Sequence, residues 1–227
     1  MLDWNDENSS LKKNAYLPIP KAASTTVRRY MKKYSHGVSN DMALNGDVKN
    51  MPEFRDYFIY TFCRNPYKKI ISCYEYLLTH KEIPEWDKEN MNREYFTFDR
   101  FVSIITQEIN PTYQHKPCWS VYWEPQTSFI LNNAGKLQVD YIGRVENLVE
   151  DINYVCNEIG LNLTTTGPCC HKSQLDGQRP KWKIKSIGIT GKSSWLHSDY
   201  KDYYTSDIKK KIDKYYEKDI EFFKTTF

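Results

Sequence analysis

Seven consecutive residues, Tyr57-Phe58-Ile59-Tyr60-Thr61-Phe62-Cys63, make a nearly unbroken apolar and aromatic run. With no polar alternation, such a run suits a strand buried on both faces, and strands of that kind belong to parallel sheets covered by helices. The run stops at Arg64-Asn65-Pro66, where Asn65 suits a helix N-cap and Pro66 the first helical position. Ile70, Ile71, Cys73, Tyr74, Leu77 and Leu78 then recur at helical spacing. The same order appears upstream. Leu17–Ile19, preceded by Tyr16, suits a short strand, and Val27, Tyr30, Met31 and Tyr34 suit the helix after it. Asp140–Arg144 reads as a third strand, followed by a helix over Asn147–Ile159 that Gly160 should stop. Asn147 with Glu150 resembles a capping box for that helix, and a last helix is expected over Ser206–Phe223. Strands separated by helices predict an α/β fold, a central parallel sheet flanked by helices, with ligand at the carboxyl ends of the strands.

The length of 227 residues fits a single domain spanning 1–227. Residues 1–13 are expected to be flexible, and 80–127 and 162–197 to be irregular loops that shape an acceptor site.

The turns after the first two strands carry the chemistry. In Leu17-Pro18-Ile19-Pro20-Lys21-Ala22-Ala23-Ser24-Thr25-Thr26 a lysine precedes small residues, and hydroxyl residues open a helix. A helix start offers free backbone N–H groups and the positive end of its dipole to an anion. Ala22 and Ala23 would let the backbone approach closely, and Lys21 adds a full charge. The segment reads as a phosphate cradle, without the glycine spacing of a Walker A loop. Arg64 at the second strand tip and Ser72 on its helix could converge on another phosphate.

These motifs resemble those of sulfotransferases that use 3′-phosphoadenosine 5′-phosphosulfate (PAPS), and most of all the carbohydrate O-sulfotransferase branch. Ile19 to Thr26 is similar to the family's 5′-phosphosulfate loop, and Cys63 to Tyr74 to its 3′-phosphate motif. Tyr141-Ile142-Gly143-Arg144-Val145-Glu146-Asn147-Leu148-Val149-Glu150-Asp151 is similar to a third motif, and His197 to Phe223 to the closing segment. The resemblance implies a fold like that of the P-loop kinases and in-line transfer of a sulfuryl group from PAPS, leaving 3′-phosphoadenosine 5′-phosphate (PAP). It implies that Lys21 bridges the leaving oxygen and the sulfuryl group, while Ala22, Ala23, Ser24, Thr25 and Thr26 hold the 5′-phosphate. Arg64 and Ser72 would hold the 3′-phosphate. No metal is required on this scheme.

A histidine is the expected base, because its pKa lies near neutrality. His36 occupies the stretch between the two donor motifs where relatives carry a histidine, and His115 is the second candidate. Tyr122-Trp123-Glu124-Pro125-Gln126 stands where many relatives have H-W-x-P-Q, so Trp123 and Gln126 are expected to meet the sugar. The partner is then a carbohydrate or another hydroxyl acceptor.

Two other enzyme or binding classes fit the same architecture. An ATP-dependent kinase should show a Walker A loop, and a glycan-binding relative without activity could dispense with Lys21 or Arg64. The net charge of +3 is too small to indicate a nucleic-acid partner. No apolar run approaches the length of a membrane span, so a cytoplasmic protein is expected, with a lumenal Golgi domain as the alternative. The six cysteines are read as reduced thiols. Cys169-Cys170-His171 matches no paired metal-site spacing, and the lysines of Arg179–Lys185 alternate as they would on a guarded edge strand.

Overall fold

A computed structural model describes residues 10–45, 47–79, 97–106, 118–161 and 200–227. The first elements are strand β1 (Asn14–Tyr16), helix α1 (Ser24–Met31), strand β2 (His36–Gly37), helix α2 (Asn40–Asn45) and strand β3 (Phe58–Cys63). Helices α3 (Pro66–Thr79), α4 (Phe98–Ile105) and α5 (Thr127–Ile130) follow. Strand β4 (Tyr141–Arg144), helix α6 (Leu148–Glu158) and the helices α7 (Ser206–Tyr215) and α8 (Glu217–Thr226) complete the order. The chain divides into two compact units, Met1–Asn65 with Glu124–Gln178, and Pro66–Trp123 with Arg179–Phe227.

The first unit holds a four-stranded sheet in the order β2-β1-β3-β4, every pairing parallel. All six residues of β3 are buried, as its apolar run predicts. Tyr16, Tyr60 and Phe62 pack with Val27 and Met31 of α1 and with Leu148, Ile152 and Val155 of α6. The first strand ends earlier than the expected Leu17–Ile19. The Leu17 amide still reaches the Tyr60 carbonyl at 2.9 Å, but Pro18 and Pro20 have no N–H with which to continue the ladder. Strand β2 has only two residues, too short for any periodicity to reveal.

Gly143 of β4 pairs with Phe62 of β3, and a Cβ there would come 2.6 Å from the Phe62 ring. Gly160 adopts φ 79° just past α6, the left-handed stop its position predicts. The expected capping box does not form, because the Asn147 side chain makes no cap hydrogen bond. Asp151 instead accepts from the Arg144 amide and from the Tyr141 hydroxyl, at 3.1 Å for the latter, and ties α6 to β4.

Among the described residues, the second unit is helical. Ile70, Cys73 and Tyr74 of α3 pack with Phe101 and Val102 of α4 and with Ile208, Ile212, Tyr216 and Ile220 near the end of the chain. Helix α4 lies inside the range expected to be irregular, started by Thr97, whose hydroxyl accepts from the Arg100 amide. The single expected last helix is two, broken at Tyr216, which leaves helical geometry at φ −105° and ψ 24°. Among the described residues, no helix is long and apolar enough to cross a membrane.

Candidate functional site

Two side-chain and backbone links hold the start of the first loop. The Thr61 hydroxyl donates to the Leu17 carbonyl at 2.7 Å, beside the Leu17 amide bond to Tyr60. The chain then turns sharply through Pro20–Ala23, with Lys21 at φ 65° and Ala23 at φ 57°. Left-handed backbone at a residue with a Cβ is uncommon and marks a conformation imposed by its surroundings. Helix α1 begins immediately afterwards at Ser24, with no side-chain cap and no acidic residue in its first turn. Its opening N–H groups, on Ser24, Thr25 and Thr26, therefore lack the partner that a capping side chain normally supplies.

Arg64 follows the last residue of β3, at the same end of the sheet. Its guanidinium Nη1 donates to the Lys21 carbonyl at 3.3 Å, so the two motifs meet. Arg64 lies directly beyond β3 and Lys21 five residues beyond β1, at the carboxyl ends where a parallel sheet places its ligands. Lys21 and Arg64 are both half-buried. Ser72, half-buried, lies in the second turn of α3.

The backbone between β3 and α3 is held from a distance. Gln126 accepts from the Arg64 amide at 2.9 Å and donates to the Arg64 carbonyl at 2.8 Å. Glu146 accepts from the Asn65 amide at 3.1 Å. Neither role was expected. Glu146 belongs to the third sequence motif, and its recurrence beside Gly143-Arg144 was the available signal. Lys69 is 1 % exposed and donates to the Tyr122 carbonyl at 3.1 Å.

Three expectations are corrected here. Gln126 is 3 % exposed with both amide atoms on Arg64, so it is not a sugar contact. Trp123 is 7 % exposed and packs edge-on against Phe101 in the helical core, with its carbonyl accepting from the Tyr216 hydroxyl. Ala22 is fully buried and its amide donates to the Ile19 carbonyl at 3.2 Å, which removes that amide from anion binding.

His36 lies elsewhere in the sheet. On β2 it pairs in register with Ala15, which pairs with Ile59, five residues before Arg64. At about 3.3 Å per residue, that is roughly 16 Å along the strand. Its ring packs against Phe54 and Tyr57, with centroids 5.5 and 6.2 Å away, beside the beginning of β3. His115 lies outside the described residues, as do Cys169, Cys170, His171 and Arg179–Lys185.

Residues 11–225 match the Sulfotransferase family. Carbohydrate sulfotransferase 11 from Rattus norvegicus is 24 % identical over 193 residues, covering 70 % of this chain and 53 % of the relative. Its counterpart from Mus musculus matches to the same extent. This chain thus spans about half the length of the curated relatives it matches. No solved structure matches.

Proposed function

Because the chain belongs to the sulfotransferase family, we propose that it transfers a sulfuryl group from PAPS to a hydroxyl of a carbohydrate acceptor. The observation that carries this reading is the bond from Arg64 Nη1 to the Lys21 carbonyl, which joins two cationic motifs where α1 opens uncapped. One bisphosphate-bearing donor accounts for both motifs at once. The relatives' name, carbohydrate sulfotransferase, supports a sugar acceptor.

In this reading the N–H groups and hydroxyls of Ser24, Thr25 and Thr26 hold the 5′-phosphate, with Ala23 setting the turn that presents them. Arg64 holds the 3′-phosphate. The acceptor oxygen attacks sulfur in line as the bond from sulfur to the bridging phosphate oxygen breaks. Lys21 stabilises the negative charge that gathers on that bridging oxygen. The hydroxyl proton passes to a histidine. His36 is the first candidate for that role and His115 the second.

The donor assignment is tested by calorimetry with PAP and 5′-AMP. The protein should bind PAP much more tightly than 5′-AMP, and Arg64→Ala should remove most of the difference, a cost of roughly 1.5–3 kcal/mol for a charge-assisted contact. Equal affinity of the unaltered protein for the two nucleotides would sink the assignment.

A further inference from the structure

We propose that Gln126 is a positioning residue for the donor-binding arginine, setting the protein's preference for a nucleotide with a 3′-phosphate. The proposal rests on the donor reading above and assigns a new role within that site.

Arg64 stands between two elements that cannot both accommodate its backbone. The ladder between β3 and β4 ends at the pair Cys63 and Arg144, and Pro66 opens α3 without an N–H to offer. A half-buried peptide group left without partners is costly, so both of its polar atoms must be matched. The Arg64 peptide groups present one donor and one acceptor, and an uncharged carboxamide supplies the complementary pair. Gln126 does so at 2.9 and 2.8 Å from 62 residues downstream.

Gln126 also stands at the N-cap position of α5, yet makes no side-chain cap bond to that helix. A residue at that position commonly serves its own helix. Here the amide is turned onto Arg64 instead, and it is buried to 3 % exposure. With the Arg64 backbone clamped and the next amide, that of Asn65, held by Glu146, the side chain leaves from a defined point and reaches the Lys21 carbonyl. Releasing the clamp should therefore blunt the contact with the 3′-phosphate more than the hold on the 5′-phosphate loop, which Thr61 also pins through the Leu17 carbonyl.

The test is Gln126→Glu, with PAP and 5′-AMP affinities measured by calorimetry at pH 8 and pH 6 beside the unaltered protein. An ionised carboxylate still accepts from the Arg64 amide but turns a second acceptor onto its carbonyl. Protonation restores the donor, and burial favours the protonated form. At pH 8 the variant should bind PAP about tenfold or more weaker than the unaltered protein, and 5′-AMP within about twofold. At pH 6 the deficit for PAP should shrink, a recovery that general loosening of the fold would not produce. If melting shows that Gln126→Glu does not fold, Gln126→Met fills the same space with neither bond and should show the same selective loss without pH recovery. PAP affinity within twofold of the unaltered protein, or equal loss of both nucleotides with no recovery, overturns the proposal. Failure of the unaltered protein to prefer PAP would end the donor reading and this proposal together. A clear preference left intact by Gln126→Glu would end this proposal alone.

Discussion

Lys21 and Ala23 hold φ angles of 65° and 57°, where a Cβ normally costs about 1–2 kcal/mol. The adjoining loop is pinned by Thr61 on the Leu17 carbonyl and by Arg64 on the Lys21 carbonyl, so the strain is held from outside the turn. A different residue-scale cost sits beneath α1. The Tyr16 hydroxyl is buried without a hydrogen-bond partner, its ring 5.5 Å from that of Tyr60 and 6.3 Å from that of Phe62. Burial, and then the neighbouring Tyr60, pushes its ionisation far above the usual phenol range, so the group is a neutral hydroxyl with nothing to bond. Tyr16→Phe removes the unmatched hydroxyl and keeps the ring. It should stabilise the protein by about 1 kcal/mol in chemical denaturation, and a loss of stability would mean the hydroxyl is satisfied in solution. The same reasoning explains why Gln126 was misassigned from sequence. A glutamine beside an aromatic residue looks the same whether it faces a sugar or a buried peptide group, and only its partners distinguish them.

At the level of elements, the helices follow their apolar spacing, while their ends are decided by remote groups. The junction of β4 and α6 is held by Asp151 on the Arg144 amide and the Tyr141 hydroxyl, in place of the local capping box that Asn147 and Glu150 suggest. Helix α7 begins at an N-cap, with the Thr205 hydroxyl accepting from the Ile208 amide at 3.3 Å. It ends at Tyr216, whose hydroxyl donates to the Trp123 carbonyl. Within α7, Lys209 and Asp213 pair one turn apart, and the Tyr67 hydroxyl of α3 also donates to Asp213. Burial alone would raise the Asp213 carboxyl, but hydrogen bonds from Lys209 and Tyr67 outweigh it and hold it below its ordinary value of 3.8. A carboxyl depressed on folding stabilises above its unfolded pKa, and that contribution is lost as pH falls through the folded one. Asp213→Asn should therefore melt at a lower temperature than the unaltered protein at pH 7. The gap should narrow as pH falls below about 4. A gap independent of pH would assign the effect to packing.

For the molecule as a whole, the proton acceptor is the most exposed part of the proposed chemistry. His36→Ala should lower sulfate transfer from labelled PAPS by about 10²–10⁴-fold with PAP binding nearly intact, and His115→Ala should affect acceptor affinity more than turnover. Full activity in His36→Ala with loss in His115→Ala would move the role to His115. What was legible in the sequence alone was whatever depends on neighbours along the chain. The apolar run of β3, the helical stripes, Gly160 and the hydroxyl start of α1 each state a local preference, and the ordered motifs carried the family. Lys21 and Arg64 could be paired from those motifs because each comes after a strand of one parallel sheet, which sends both to the same end. The tertiary structure decided what depends on residues far apart: the two-residue strand β2, the register that removes His36 from Arg64, the core burial of Trp123, and the clamp of Gln126 on Arg64. None of these has a period or a local propensity. Each is set by which buried peptide group or ring lacks a partner once the chain has packed, and a one-dimensional pattern carries no record of that.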